Sequence, residues 1–149
     1  MLDSLRNRTI WGDNALPLVQ HRFRPIFQVL LPLVDLLAMA FSFAALGVGS
    51  RVVESQTTPW FGVGWGAAVG ASAIAALVGL VFRLDWVEIF AKVGLCISFG
   101  VYIYLLIASV GFGTYSTVLT VVITVGFLLF PLFRIFDLIG EIAGGSGGK

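Results

Sequence analysis

Residues 30–46 read "LLPLVDLLAMAFSFAAL", an apolar run with one proline, Pro32, and one carboxylate, Asp35. The run extends from Ile26 to Val48. At 1.5 Å per residue a helix of that length crosses the roughly 30 Å of a bilayer's hydrocarbon core. An ionised carboxylate in hydrocarbon costs roughly 2.5–3.5 kcal/mol even on insertion scales. Asp35 therefore demands a partner, a protonated state or a function, and the rest of the chain has to supply it.

The composition agrees with a membrane setting. Of the 149 residues, 58% are hydrophobic and 11% charged, less than half the roughly 25% that a soluble surface carries. The mean hydropathy is +1.01, and the apolar residues come in long blocks. Three further blocks follow the first: 60–82, 93–110 and 116–133, separated by "GSRVVESQTTP", by "RLDWVEIFAK" and by the glycine turn "GFGTY". Backbone groups in lipid must be satisfied within each span, so blocks of this length are helices. The expected fold is an all-α membrane protein, a four-helix transmembrane bundle over 26–143. Residues 1–25 form a polar leading segment with no signal-peptide pattern. Residues 144–149, "GGSGGK", read as a flexible tail, native or an appended linker. Past Phe133, residues Ile135, Leu138, Ile139 and Ile142 follow helical spacing and predict a short amphipathic extension on the membrane surface.

Basic residues set the orientation. With the N-terminus inside, one side of the membrane collects Arg6, Arg8, Arg22, Arg24, Arg83, Lys92, Arg134 and Lys149, and the other has only Arg51. Both termini are expected in the cytoplasm. Four polar or small-residue features then stand out. Gly62, Gly66 and Gly70 recur at four-residue steps in the second span, a spacing that lets helix backbones approach closely, either within the bundle or between copies. Ser116, Thr120 and Thr124 form a hydroxyl stripe on the fourth span, facing a wet path or bonding back to their own helix. Counted from Ile26 and from Val93, Asp35 and Tyr102 fall at matching depth, so Asp35 either accepts a hydrogen bond from Tyr102 or stays protonated in apolar surroundings; the two are a packing pair or a candidate intramembrane switch. Pro32 invites a kink beside them.

No catalytic constellation emerges. His21 is the sole histidine and Cys96 the sole cysteine, so no metal site, internal disulfide or dithiol chemistry is expected. No nucleophile–base pair and no phosphate loop are present. The scattered cations make no nucleic-acid face. The expectation is a non-enzyme without cofactors, whose partners are the lipid bilayer, further copies of itself or a larger membrane complex.

With these residues in view, the chain resembles the four-span holins of actinobacterial phages in size, span number, cytoplasmic ends and sparse charge. That resemblance implies oligomerisation in the inner membrane and opening of lesions, with Gly62, Gly66 and Gly70 as the assembly face. It would set Asp35 against the hydroxyls of Ser116, Thr120 and Thr124 across the lesion wall. The chain also resembles the small multidrug resistance exporters, which carry one carboxylate in their first span, a glutamate there and Asp35 here. That resemblance implies proton-coupled cation exchange. A third reading is an accessory subunit of a larger membrane complex.

Overall fold

The computed structural model describes residue 9, residues 26–110 and residues 115–145. The leading segment apart from Thr9, the turn residues 111–114 and residues 146–149 lie outside the described residues. Among those described, every element is a helix. A π-helical turn, Ile26–Leu30, leads into α1, Leu31–Val48. A short α2, Arg51–Gln56, precedes α3, Pro59–Phe82; α4 covers Asp85–Val110 and α5 covers Tyr115–Gly145. Four stretches are long and apolar enough to cross a membrane: Gln28–Val48, Pro59–Phe82, Asp85–Ser109 and Thr117–Gly140.

Prolines and one αL residue mark the ends. Pro32 and Pro59 sit in the first turns of their helices, where a missing N–H is harmless. Pro32 thus lies where the π turn hands over to α1 and does not interrupt the span. α3 ends with Arg83 in the left-handed region, φ 57° and ψ 44°. The Leu84 N–H donates to the Gly79 carbonyl at 2.8 Å, closing a Schellman-type cap. Only Arg83 and Leu84 separate α3 from α4.

Two boundaries differ from the sequence-based expectation. The third span begins at Asp85 and not near Val93, so Glu88 and Lys92 belong to a helix and not to a loop. α5 runs unbroken through Pro131, and the residues after Phe133 carry on as its further turns to Gly145. Leu138 is fully buried there, while Phe136 and Ile139 are exposed. The amphipathic extension is therefore the end of the fourth span itself.

The spans pack as α1 on α3, α3 on α4 and α4 on α5, and α1 and α5 touch only lightly. The core is built around a stripe on α3, Trp65, Val69, Ala73 and Ala76, packed with Ala91, Leu95 and Phe99 of α4. Small residues bring backbones together. A methyl group built on Gly79 would stand 2.7 Å from the Glu88 backbone nitrogen. Val53 of α2 is fully buried in the same core. The outward faces carry large apolar side chains such as Phe43, Ile97, Val122 and Leu129, as lipid-facing helices do.

A candidate functional site of buried charges

The face of α4 that turns into the bundle carries Glu88, Ala91, Lys92, Leu95 and Phe99, all buried. Glu88 and Lys92 are four residues apart and so stand one turn apart on that face. Lys92 reaches α1. Its Nζ donates to Asp35 Oδ1 at 2.9 Å and to Oδ2 at 3.1 Å, with the side chains 2% and 1% exposed. Glu88 meets α5: Arg134 donates from Nε to Glu88 Oε1 at 2.9 Å and from a terminal nitrogen to Oε2 at 3.2 Å. This is the two-pronged geometry that suits a guanidinium and a carboxylate. The other terminal nitrogen of Arg134 bonds Asp137 Oδ2 at 2.6 Å, one turn along α5, where the carboxylate is a quarter exposed.

Five charged side chains thus tie α1 to α4 and α4 to α5. Asp35 and Lys92 each lie seven residues into their spans, and Arg134 lies six residues from the end of its own. At the helical rise that puts all three about 9–11 Å from the same side of the membrane. The low dielectric there makes an unpaired charge costly, and pairing resolves it. Among the described residues no buried side-chain nitrogen or oxygen lacks a hydrogen-bond partner. No group of three histidine, cysteine or acidic side chains gathers to hold a metal among those residues.

The partner of Asp35 is therefore Lys92, and Tyr102 is not involved. Counted from Asp85, Tyr102 lies ten residues beyond Lys92, about 15 Å further along the helix. Its ring stacks on Trp65, centroids 5.4 Å apart and planes 16° apart, and meets the edge of Phe41. Trp65 Nε1 in turn donates to the Ser98 carbonyl at 3.0 Å, so Tyr102 belongs to a fixed aromatic wall.

The glycine ridge is occupied inside the chain. Cβ atoms on Gly66 and Gly70 would come to 3.0 Å from Leu46 Cδ2 and 2.5 Å from Ser42 Oγ, both on α1, and one on Gly62 would lie 3.8 Å from Val53. Ser42 Oγ donates to the Gly66 carbonyl at 2.8 Å. On α5, Thr124 donates back to the Thr120 carbonyl at 2.7 Å. Thr120, Thr124 and Tyr102 border one apolar cavity of about 180 Å³, and Asp35 is not part of its lining. Ser116 lies in the first turn of α5, and its side chain lies outside what the structure describes.

Glu88, Lys92, Arg134 and Asp137 are the site residues that sequence reasoning missed. The available signal was the four-residue spacing of Glu88 and Lys92, which belongs to a helix face. A span read from Asp85 also still contains a strongly apolar window. Comparison with protein-family profiles, with curated proteins and with solved structures returns no match.

Proposed function

We propose that this chain is a self-associating, non-enzymatic protein of the bacterial cytoplasmic membrane that permeabilises it in the manner of a holin. The observation that carries this reading is the way α5 is attached. It packs on α4, barely touches α1, and is pinned near one end by Arg134 on Glu88. Only 17% of its most apolar stretch is buried, against 44% for α4. As long as the charges are paired the bundle accumulates without leaking. Release of α5 uncovers Glu88 and Arg134, polar groups suited to a water-filled wall, while Lys92 stays paired with Asp35 of α1. The outward face of α5 then serves assembly, since the glycine ridge is already engaged with α1.

The charge bias supports cytoplasmic termini in this proposal. Lys92 and Arg134 are sealed in helices, so six of the eight basic residues assigned to the inner side remain to be counted, still against Arg51 alone. Cation exchange has less support, because the Asp35 carboxylate is already held by Lys92 and offers no free site to a substrate cation. The wide bare face of α5 favours a second reading, an accessory subunit whose partner covers that face.

Induction in a bacterium, with a potential-sensitive dye, tests the proposal. The expected result is an abrupt, timed collapse of the membrane potential, hastened by an uncoupler. A membrane that stays energised with abundant inserted protein overturns it. Failure of the chain to accumulate without a partner would establish the accessory reading instead.

A further inference from the structure

We infer that the seam between α1 and α5 is a binding site for phospholipid acyl chains, independent of whether the protein permeabilises membranes. Two apolar openings lie along this seam. One, of about 180 Å³, is lined by Leu37, Phe41, Phe99, Tyr102, Thr124 and Phe127, among others. The other is lined by Leu30, Leu31, Gly126, Leu129, Phe130 and Phe133. No charged side chain lines either one.

Their depths divide the membrane. Leu30 and Leu31 lie within about 5 Å of the start of the first span, whereas Leu37 to Phe41 lie about 10–16 Å from its end at Val48. On α5, counted from the span's end at Gly140, the first opening is bordered about 20–30 Å away by Thr120 to Phe127 and the second about 10–21 Å away by Gly126 to Phe133. In a hydrocarbon core of roughly 30 Å the two openings thus lie toward opposite leaflets, and both reach mid-depth. The openings are continuous with the bilayer-facing surface, since Leu37, Ile123, Leu129 and Phe133 border them and are all about half exposed.

The smaller cavity does not close by itself. Its inner wall is held by the stacking of Tyr102 on Trp65, the edge contacts of Phe41 with both rings and the Trp65–Ser98 hydrogen bond. Its α5 side carries Thr120 and Thr124 beside Ile123 and Phe127. An empty apolar space of this size forfeits dispersion contacts, and one of about 150 Å³ lined by similar residues takes up benzene. In a membrane the molecule at hand is a lipid tail. A convex helix of a second copy fits a concave, half-enclosed cavity poorly.

Trp65 is the built-in reporter. It is 6% exposed, stands directly behind Phe41 and Tyr102, and is remote from annular lipid, unlike the exposed Trp60 and Trp86. The full chain with Trp11→Phe, Trp60→Phe and Trp86→Phe is placed in phosphatidylglycerol vesicles whose chains carry bromine either near the methyl end or next to the head group. Quenching of Trp65 by the deep bromine, weaker quenching by the shallow one, and loss of the deep quenching in Thr124→Phe are expected. Ala38→Leu, which fills the cavity from α1, gives the same loss and serves if Thr124→Phe does not fold. Absence of deep quenching in the parent overturns the assignment, as does quenching that survives both filled variants. If quenching is absent while Ile123→Cys, in a Cys96→Ala background, cross-links between chains, a second copy and not lipid occupies the seam.

Discussion

Lys92 Nζ lies 2.9 Å from Asp35 Oδ1 across 57 residues of sequence, with both side chains sealed from the surface. The pair joins α1 to α4, two helices that otherwise pack chiefly through α3. A long lysine stem bridges that gap while the ammonium keeps its charge partner, so the pair sets the register of α1 against the rest of the bundle. Buried pairs of this kind are costly to break and cheap to replace as a whole. This asymmetry makes their role measurable.

Lys92→Met leaves the Asp35 carboxylate buried without its cation and is expected to cost about 3–5 kcal/mol. Asp35→Asn strands Lys92 in the same way. The double variant Asp35→Leu with Lys92→Met removes both charges and is expected to recover most of that loss. Unfolding by dodecyl sulfate in mixed micelles, followed by circular dichroism, compares them. Additive losses in the double variant would mean that the two side chains do not act as a pair.

Arg134 and Glu88 hold α5 to α4. Glu88→Arg or Arg134→Glu alone places like charges face to face and is expected to loosen α5, whereas the two together restore a bridge of reversed polarity. Under the proposed function each single change brings the collapse of membrane potential forward, and the swap returns it toward the parental time. A swap that performs no better than the singles would detach the bridge from the timing.

The glycines differ in what surrounds them. Gly79→Ala would press a methyl against the backbone of Glu88, at 2.7 Å from its nitrogen, and neither backbone can yield within a two-residue turn. A loss of about 1–3 kcal/mol is expected, as for other overpacked sites. Gly66→Ala meets the Leu46 side chain, Cδ2 at 3.0 Å and Cγ at 3.1 Å, and stands 3.8 Å from its backbone nitrogen, so it is expected to cost less. Gly126→Ala meets nothing within 4 Å and is expected to be neutral or slightly stabilising. The same micelle titration ranks the three.

Arg83 takes a left-handed conformation that costs a side-chain-bearing residue about 1–2 kcal/mol. Arg83→Gly keeps the cap, since the bond to the Gly79 carbonyl comes from the Leu84 backbone. Stability is therefore expected to rise by about 1 kcal/mol. A fall would show that the guanidinium contributes more at the membrane surface than the strained backbone costs.

Legibility in the sequence followed the scale of the signal. The four spans and the end of α1 at Val48 came from long apolar runs, which no other structure accommodates in lipid. Boundaries drawn at charged residues failed. Lys92 looked like the end of a loop because an isolated lysine in hydrocarbon is prohibitive, yet the same lysine is stable where Asp35 meets it. Depth counting from Val93 then aligned Asp35 with Tyr102, an error of ten residues that begins with that one assignment. Arg134 reads as an inner-side cation for the same reason, and the residues past Phe133 as a surface segment.

What the sequence by itself determined is the class of the molecule: four apolar helices, a carboxylate that needs a partner, and a small-residue ridge for close packing. Each of these rests on local chemistry, the length of apolar runs and the cost of a charge in lipid. The tertiary structure alone decided which charges meet. Asp35, Glu88, Lys92 and Arg134 come from three helices, and no local rule specifies which face of α4 turns toward α1 and which toward α5. That choice is made by packing, where Gly66, Gly70 and Gly79 set the helix distances and the ion pairs then settle the register, because any other register would leave a charge buried alone.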